Sequence, residues 1–446
     1  MRNYLHKGYG KAGLIVCMFL SVVCYGQPGS RQSFNNDWQF YLGQTNEAVH
    51  QVTFKGESWR NLSVPHDWSI ELPFDKESPT GTGGGALRGG LGWYRKVFVL
   101  SEADKHKKHF IRFDGVYMNS EVYLNGQLLG IRPNGYIGFR YDMTPYLQYG
   151  GQKNILVVKV NNDKQPNSRW YSGSGIYRNV WLESSTEVRI GEWGPYITTP
   201  EITPGKDIIK ITTPVHIDKP GGASYTLRQL LYDAKGVQLQ QTKNTFKANE
   251  PVVKQEQQIT INKPVLWSDK NPYLYKIVTQ VIDGNGQIVD SYTTQTGIRN
   301  FHFDAAKGFF LNGVATKLRG VCMHHDLGAL GTAINTRAME RQLEILKAMG
   351  CNSIRTSHNP PAPELLDLCD KMGFLVMNET FDMWAKKKSD YDYHLYWDQW
   401  HEQDLQDHVL RDRNHPSVIM WSVGNVIMEQ WAKDSSGDII LKKLVK

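Results

Sequence analysis

The stretch SIRTSHNPPAPELLDLCDKMGFLVMNE, residues 353–379, decides the fold of the C-terminal third of this chain. Ser353–Thr356 reads as a strand. Ala362–Met372 reads as a helix, with Gly373 placed to end it, and Phe374–Met377 reads as the next strand. Working outward, Ala315–Cys322 is a further strand. Thr336–Met349 is an amphipathic helix with Met339, Leu343, Leu346 and Met349 on one face. Trp397–Arg411 is a helix and Val418–Trp421 a strand. Strands alternating with helices predict a parallel sheet. Polar residues cluster just past each strand: His324, His325 and Asp326, then His358 and Asn359, then Glu379 and Asp382, then Asn425. In a β/α barrel the carboxyl ends of the strands build the active site.

The preceding 300 residues have a different grammar. From about Phe34 to Glu183, short runs such as Trp93–Leu100, Phe110–Phe113, Glu121–Leu124 and Ile155–Val160 alternate with turns. Asn125-Gly126 is a hairpin signal. The spacing predicts a β-sandwich or jelly roll. From about Val188 to Gly297 a second set of short strands, with Asp283-Gly284 as a hairpin turn, fits an immunoglobulin-like sandwich. Seven glycines crowd positions 81–92. They loosely fit a dinucleotide fingerprint, but Pro73 and Pro79 precede them and no helix follows, so they read as a mobile loop.

Composition narrows the function classes. Hydrophobic residues are 40% and charged residues 21% of the 446, the balance of a folded protein, not of a disordered one. The net charge is +7, and Arg2, Lys7 and Lys11 supply three of those charges with no acid in the first 26 residues. What remains is too weak and too evenly spread for a nucleic-acid partner. The basic start, the apolar run Ala12–Val23 and the small residues near Gly26 read as an export signal. The apolar run is too short to span a membrane. Periplasmic or extracellular placement is therefore expected, with lipid anchoring through Cys24 disfavoured by Val23. Cys322, Cys351 and Cys369 are odd in number and read as buried free thiols. The expected division is 1–26 signal, 27–187 jelly roll, 188–299 immunoglobulin-like sandwich and 300–446 barrel.

Several motifs resemble those of glycoside hydrolase family 2, the β-galactosidases, β-glucuronidases and β-mannosidases. Val64-Pro65-His66-Asp67-Trp68, Gly92-Trp93-Tyr94-Arg95 and Ser174-Gly175-Ile176-Tyr177-Arg178-Asn179-Val180 resemble its N-terminal sugar-binding-like domain. Leu266-Trp267-Ser268 with Asn271-Pro272-Tyr273-Leu274-Tyr275 resembles the end of its immunoglobulin-like domain. Arg319-Gly320-Val321 and Asn352–His358 resemble barrel strands one and two. Asp412-Arg413-Asn414-His415-Pro416-Ser417-Val418-Ile419-Met420-Trp421-Ser422-Val423-Gly424-Asn425 is very similar to its long signature. The implied fold is multidomain β plus α/β: jelly roll, immunoglobulin-like sandwich and a (β/α)8 TIM barrel of which about four of eight units are visible.

The resemblance implies retaining hydrolysis of a β-linked oligosaccharide or glycoside, with galactose the first expectation. Two carboxyl groups about 5–5.5 Å apart do this chemistry, one as acid/base and one as nucleophile. The signature implies a Glu acid/base after Asn425, and here that position is Val426. The nucleophile's strand lies beyond the four that can be read. The expectation is therefore an inactive chain. His324, His358 and Asn425 are the implied sugar contacts, with Glu379 and Asp382 supporting sugar binding and the polar network, and Asp163 reaching in from the first domain. Glu429 is expected to point elsewhere. A divalent metal accompanies some relatives, but the match around Glu379 is too loose to extend one here, and no cofactor is expected. An oligomer is compatible with all of this. The second reading, of a different class, is a non-catalytic carbohydrate-binding protein using the N-terminal sandwich.

Overall fold

The computed structural model describes residues 29–45, 47–203 and 205–446. The segment read as an export signal lies outside them. No helix among the described residues is long and apolar enough to cross a membrane.

Residues 30–185 form two antiparallel sheets packed face to face. One runs Ser30–Ser33, Val180–Ser185, Lys108–Phe113, Phe139–Asp142 in spatial order. The other has six strands and centres on Gly90–Val99 and Lys153–Asn162. Alternate residues point inward, and Trp38, Trp68, Tyr94, Phe113, Val122, Leu124 and Val158 close the core between the sheets. Asn125 and Gly126 both take positive φ, 50° and 84°, as a two-residue hairpin turn requires. The glycine cluster forms successive turns with no helix after it. Gly92 passes so close to the Trp68 ring that a Cβ would meet it at 2.5 Å, which explains why this position carries no side chain.

The second unit also has two antiparallel sheets. Lys206–Ile217 pairs with Val188–Ile190, Tyr196–Thr203 and Val252–Asn262, while Ser224–Tyr232 and Tyr275–Ile282 form the centre of the other sheet. The turn expected at Asp283-Gly284 is wider than two residues. Asp283 Oδ1 accepts from the amides of Asn285 and Gln287 at 2.9 and 2.8 Å, and Gly286 takes the left-handed position.

The third unit is a parallel sheet of β1 (Gly320–Met323), β2 (Ser353–Thr356), β3 (Leu375–Glu379) and β4 (Val418–Ser422), adjacent in that order. Its helices are α1 (Thr336–Ala348), α2 (Pro363–Met372), α3 (Trp397–Asp412) and α4 (Ser436–Leu444). Helices α1 and α2 cover one face of the sheet, through Met339, Leu343, Leu366 and Cys369 against Ile354 and Val376. Asn335 caps α1 by accepting from the Ala338 amide at 3.0 Å. Gly373, at φ 73°, ends α2 in the left-handed conformation its missing Cβ permits.

Three expectations need correction. The strand expected at Ala315–Cys322 is divided. Asn312-Gly313 is a second hairpin turn, with both φ positive, and it folds Val314–Ala315 back onto Gly308–Leu311 in a small antiparallel meander. The barrel strand begins only at Gly320. Met349 is 70% exposed because α1 ends one residue earlier. Among the three thiols only Cys369 is buried; Cys322 is exposed and Cys351 half-buried.

Candidate active site

The carboxyl ends of β1–β4 hold the polar residues. Glu379 closes β3 and is fully buried. Its Oε2 accepts from Arg355 Nε and Nη2 at 2.9 and 2.6 Å and from Ser422 Oγ at 2.6 Å. Its Oε1 lies 2.7 Å from His358 Nδ1. Such a buried carboxylate is tolerable only because both oxygens meet hydrogen-bonding partners. Glu379 therefore joins β2, β3 and β4 and sets the orientation of His358.

Asn425 stands three residues past β4. Its Oδ1 accepts from Arg355 Nη2 at 3.0 Å, and its Nδ2 donates to Asp382 Oδ1 at 2.8 Å. Asp382 is 4% exposed and carries two cations: Arg169, bidentate at 2.6 and 3.1 Å, and Lys388 at 3.1 Å. Lys388 also donates to the Asn425 carbonyl. Burial pushes the Asp382 carboxyl up, but Arg169, Asn425 and Lys388 together outweigh it and hold the group below its ordinary value. Asp382 is thus ionised and is not a proton donor near neutral pH.

His324 follows β1 and His358 follows β2, with ring centroids 5.5 Å apart. Trp170, from the first sandwich, lies 5.0 Å from His324 and 5.5 Å from His358. The three rings form one corner. Burial, and then the neighbouring His358, lower the pKa of His324, so it is neutral and can both donate and accept. A pocket lined by Tyr117, Tyr136, Trp170, His358, Phe381 and Asp382 opens beside this corner. Aromatic walls with a few polar groups suit a sugar, whose faces are apolar and whose rim is hydroxylated.

Val426 follows Asn425 directly. Its side chain carries no proton to give, and it is 54% exposed. Its φ is 47°, a left-handed conformation that a β-branched residue adopts only under strain. Glu429 is buried in the next turn, where Oε1 accepts from the Lys386 amide at 2.7 Å, so it stands in for nothing at position 426.

The expectation for Asp163 is not met in the described geometry. It is exposed, and its amide donates to Asn161 Oδ1 at 3.2 Å. The same loop does reach the barrel, but through Arg169 and Trp170, six and seven residues further on. Those two, with Arg355 and Lys388, are the site residues that the strand-end pattern alone did not reveal. Arg355 was legible in principle, as an Arg two residues inside a strand pointing to the inner face. Lys388 and the two residues from the sandwich carry no local signal.

The first sandwich also holds the site from behind. Arg178 is fully buried and donates to the carbonyls of Tyr136, Pro360 and Pro361 at 2.7, 2.9 and 3.0 Å. This fixes the loop that carries His358. Asp67 receives the amides of Ser69 and Ser174 on one oxygen and the Thr332 amide on the other, at 2.9–3.0 Å, tying the sandwich to the loop after β1. Among the described residues, Asp367, Asp370 and His415 bring three potential ligand atoms within 4.8 Å of one another. This group lies before β4, at the opposite end of the strands. Despite burial, Asp370 at 2.6 Å raises His415 to about 9, so that ring holds its proton where a metal would need a lone pair.

Comparisons with known proteins agree with this architecture. Three family models match: the glycosyl hydrolases family 2 sugar binding domain over residues 31–185, glycosyl hydrolases family 2 over 194–299, and the glycosyl hydrolases family 2 TIM barrel domain over 305–435. The β-galactosidase BoGH2A of Bacteroides ovatus is 53% identical over 414 residues, which is 93% of this chain and 48% of that protein. A putative β-glucuronidase of Formosa agariphila is 39% identical over 95% of this chain and 40% of its own length. The crystal structure of a family 2 member from Bacteroides cellulosilyticus superposes with a TM-score of 0.90 at 37% identity, over 93% of this chain and 54% of that one. A β-glycosidase from Bacteroides vulgatus gives 0.87 at 38%, over 93% and 52%. The chain spans about half the length of the relatives it matches. Its two sandwiches, its partial barrel and its signature running through β4 make it a member of glycoside hydrolase family 2.

Proposed function

We propose that this chain carries the sugar-binding half of a retaining β-glycosidase centre, with terminal β-galactosides as the first substrate class, and that it acts after export. Asn425 carries the proposal. It is fixed between Arg355 and Asp382 at the mouth, next to the position from which the family's acid works. A galactoside ring would lie against Trp170, with hydroxyls on His324, His358 and the rim of Arg169 and Lys388. Relatives bear the names β-galactosidase, at 53% identity, and putative β-glucuronidase, at 39%.

With valine at 426, no proton reaches the leaving oxygen from that side. Removal of a positioned general acid typically costs about 10²–10⁴-fold in rate. Calorimetric titration with methyl β-galactoside should give binding whose tighter component His358→Ala removes. An aryl β-galactoside should show no hydrolysis above a heat-treated sample. Turnover clearly above that blank would overturn the inactive reading, and an absence of binding would overturn the site.

A further inference from the structure

A cavity lies well away from the barrel mouth. It has a volume of about 420 Å³ and lies where both sandwiches meet the outer ends of α2 and α3. Its chemistry is unusual for a domain junction. Arg112 is buried and takes one oxygen from each of two acids, Glu183 Oε1 at 2.7 Å and Glu192 Oε1 at 3.0 Å. The second oxygen of each acid faces Arg140, but only at 3.5 and 3.4 Å. Arg140 makes no closer polar contact among the described residues, and its guanidinium rests on the Phe110 ring at 4.3 Å. Two carboxylate oxygens and a set of guanidinium donors thus line one space with their hydrogen bonds poorly made.

Arg411 also borders the cavity, but its Nε and Nη2 go to Asp412 at 2.6 and 2.7 Å and its Nη1 is closed off from the cavity space, so the open donors are those of Arg140. Trp193 and Tyr292 add aromatic wall.

We propose that this cavity is a second saccharide site, separate from the barrel mouth. A neutral polyol matches it because vicinal hydroxyls can donate to Glu183 or Glu192 and accept from Arg140. An anion does not match, because the free oxygens of Glu183 and Glu192 stand within 3.5 Å of Arg140 and would repel it. The aromatic residues suit the apolar face of a pyranose.

The test uses the full chain with the barrel mouth disabled by His358→Ala and lactose as the probe. Titration followed by saturation-transfer NMR should still show binding, with a dissociation constant in the millimolar range. Adding Arg140→Ala should weaken it about tenfold or more, as expected for loss of charged hydrogen bonds. Thr293→Trp, an exposed lining position whose larger side chain would occupy the space without disturbing the core, should do the same. Circular dichroism of both variants should match the parent. No lactose binding in the His358→Ala chain would overturn the proposal. So would binding indifferent to both added substitutions, or a stronger response to glucuronate or inorganic phosphate than to lactose.

Discussion

The two ends of the parallel sheet are built from opposite materials. At the amino ends of the strands, Trp267 is fully buried among Phe309, Leu311, Leu375 and Ile419, and its indole nitrogen donates to the Asp370 carbonyl at 2.8 Å. At the carboxyl ends, Glu379, Asp382, Arg355 and Asn425 share one continuous hydrogen-bond network beside an open pocket. One end is sealed by packing and the other is held by charge. Function can vary at the second without unmaking the first, which is the division of labour β/α barrels show generally.

The strongest way to break the comparison is Trp267→Ala. Deleting a buried indole should cost about 3–5 kcal/mol, read by scanning calorimetry as loss or downshift of the barrel's transition. Galactoside binding by the fraction still folded should be unchanged. If binding fails at temperatures where the barrel remains folded, the two ends are not separable.

The two ends also predict opposite pH limits. His415, at the amino ends, is raised to about 9 against an ordinary 6.5. It stabilises the fold below pH 6.5, and that contribution is lost as pH rises from 6.5 to 9. Fully expressed it is at most about 3 kcal/mol. His325, at the carboxyl ends, is lowered to about 3 by burial, with Arg178 adding to it. It is neutral and costs nothing above 6.5, but stability falls as pH drops from 6.5 toward 3. Melting curves across pH should therefore decline on both sides. His415→Asn should flatten the alkaline limb and His325→Gln the acid one. An unchanged alkaline limb in His415→Asn would show that the Asp370 pair does not matter to stability.

The smallest effect sharpens the picture at the mouth. Val426 is strained at φ 47° and half exposed. Val426→Asn, a residue that tolerates the left-handed region, should stabilise the chain by about 1 kcal/mol. Denaturant unfolding reads it. Destabilisation instead would mean the valine's packing outweighs its backbone.

The sequence makes the sealed end and the strand order legible, and the network only in part. Alternation around Ser353–Glu379 is local, so β2, α2 and β3 could be read directly, as could Gly373 at the helix end. His324, His358 and Asn425 could be read because they follow strands. Arg169 and Trp170 could not, because they reach the mouth across a domain boundary and nothing near them in the chain marks it. Asp163 was read into the site from the same loop, but the loop presents residues further along. Asn312-Gly313 is a legible turn just before the expected strand, and it takes Ala315 out of the barrel sheet.

Arg178 has a consequence for how this protein can be taken apart. Its guanidinium is the fixture on which the Pro360-Pro361 loop is set, and it belongs to a different folding unit from the histidine that loop carries. A barrel expressed without the sandwich would keep its strands and lose the jig that aligns His358. Grafting this barrel onto another scaffold requires a donor that supplies one buried guanidinium at that spot, or the mouth will be assembled out of true.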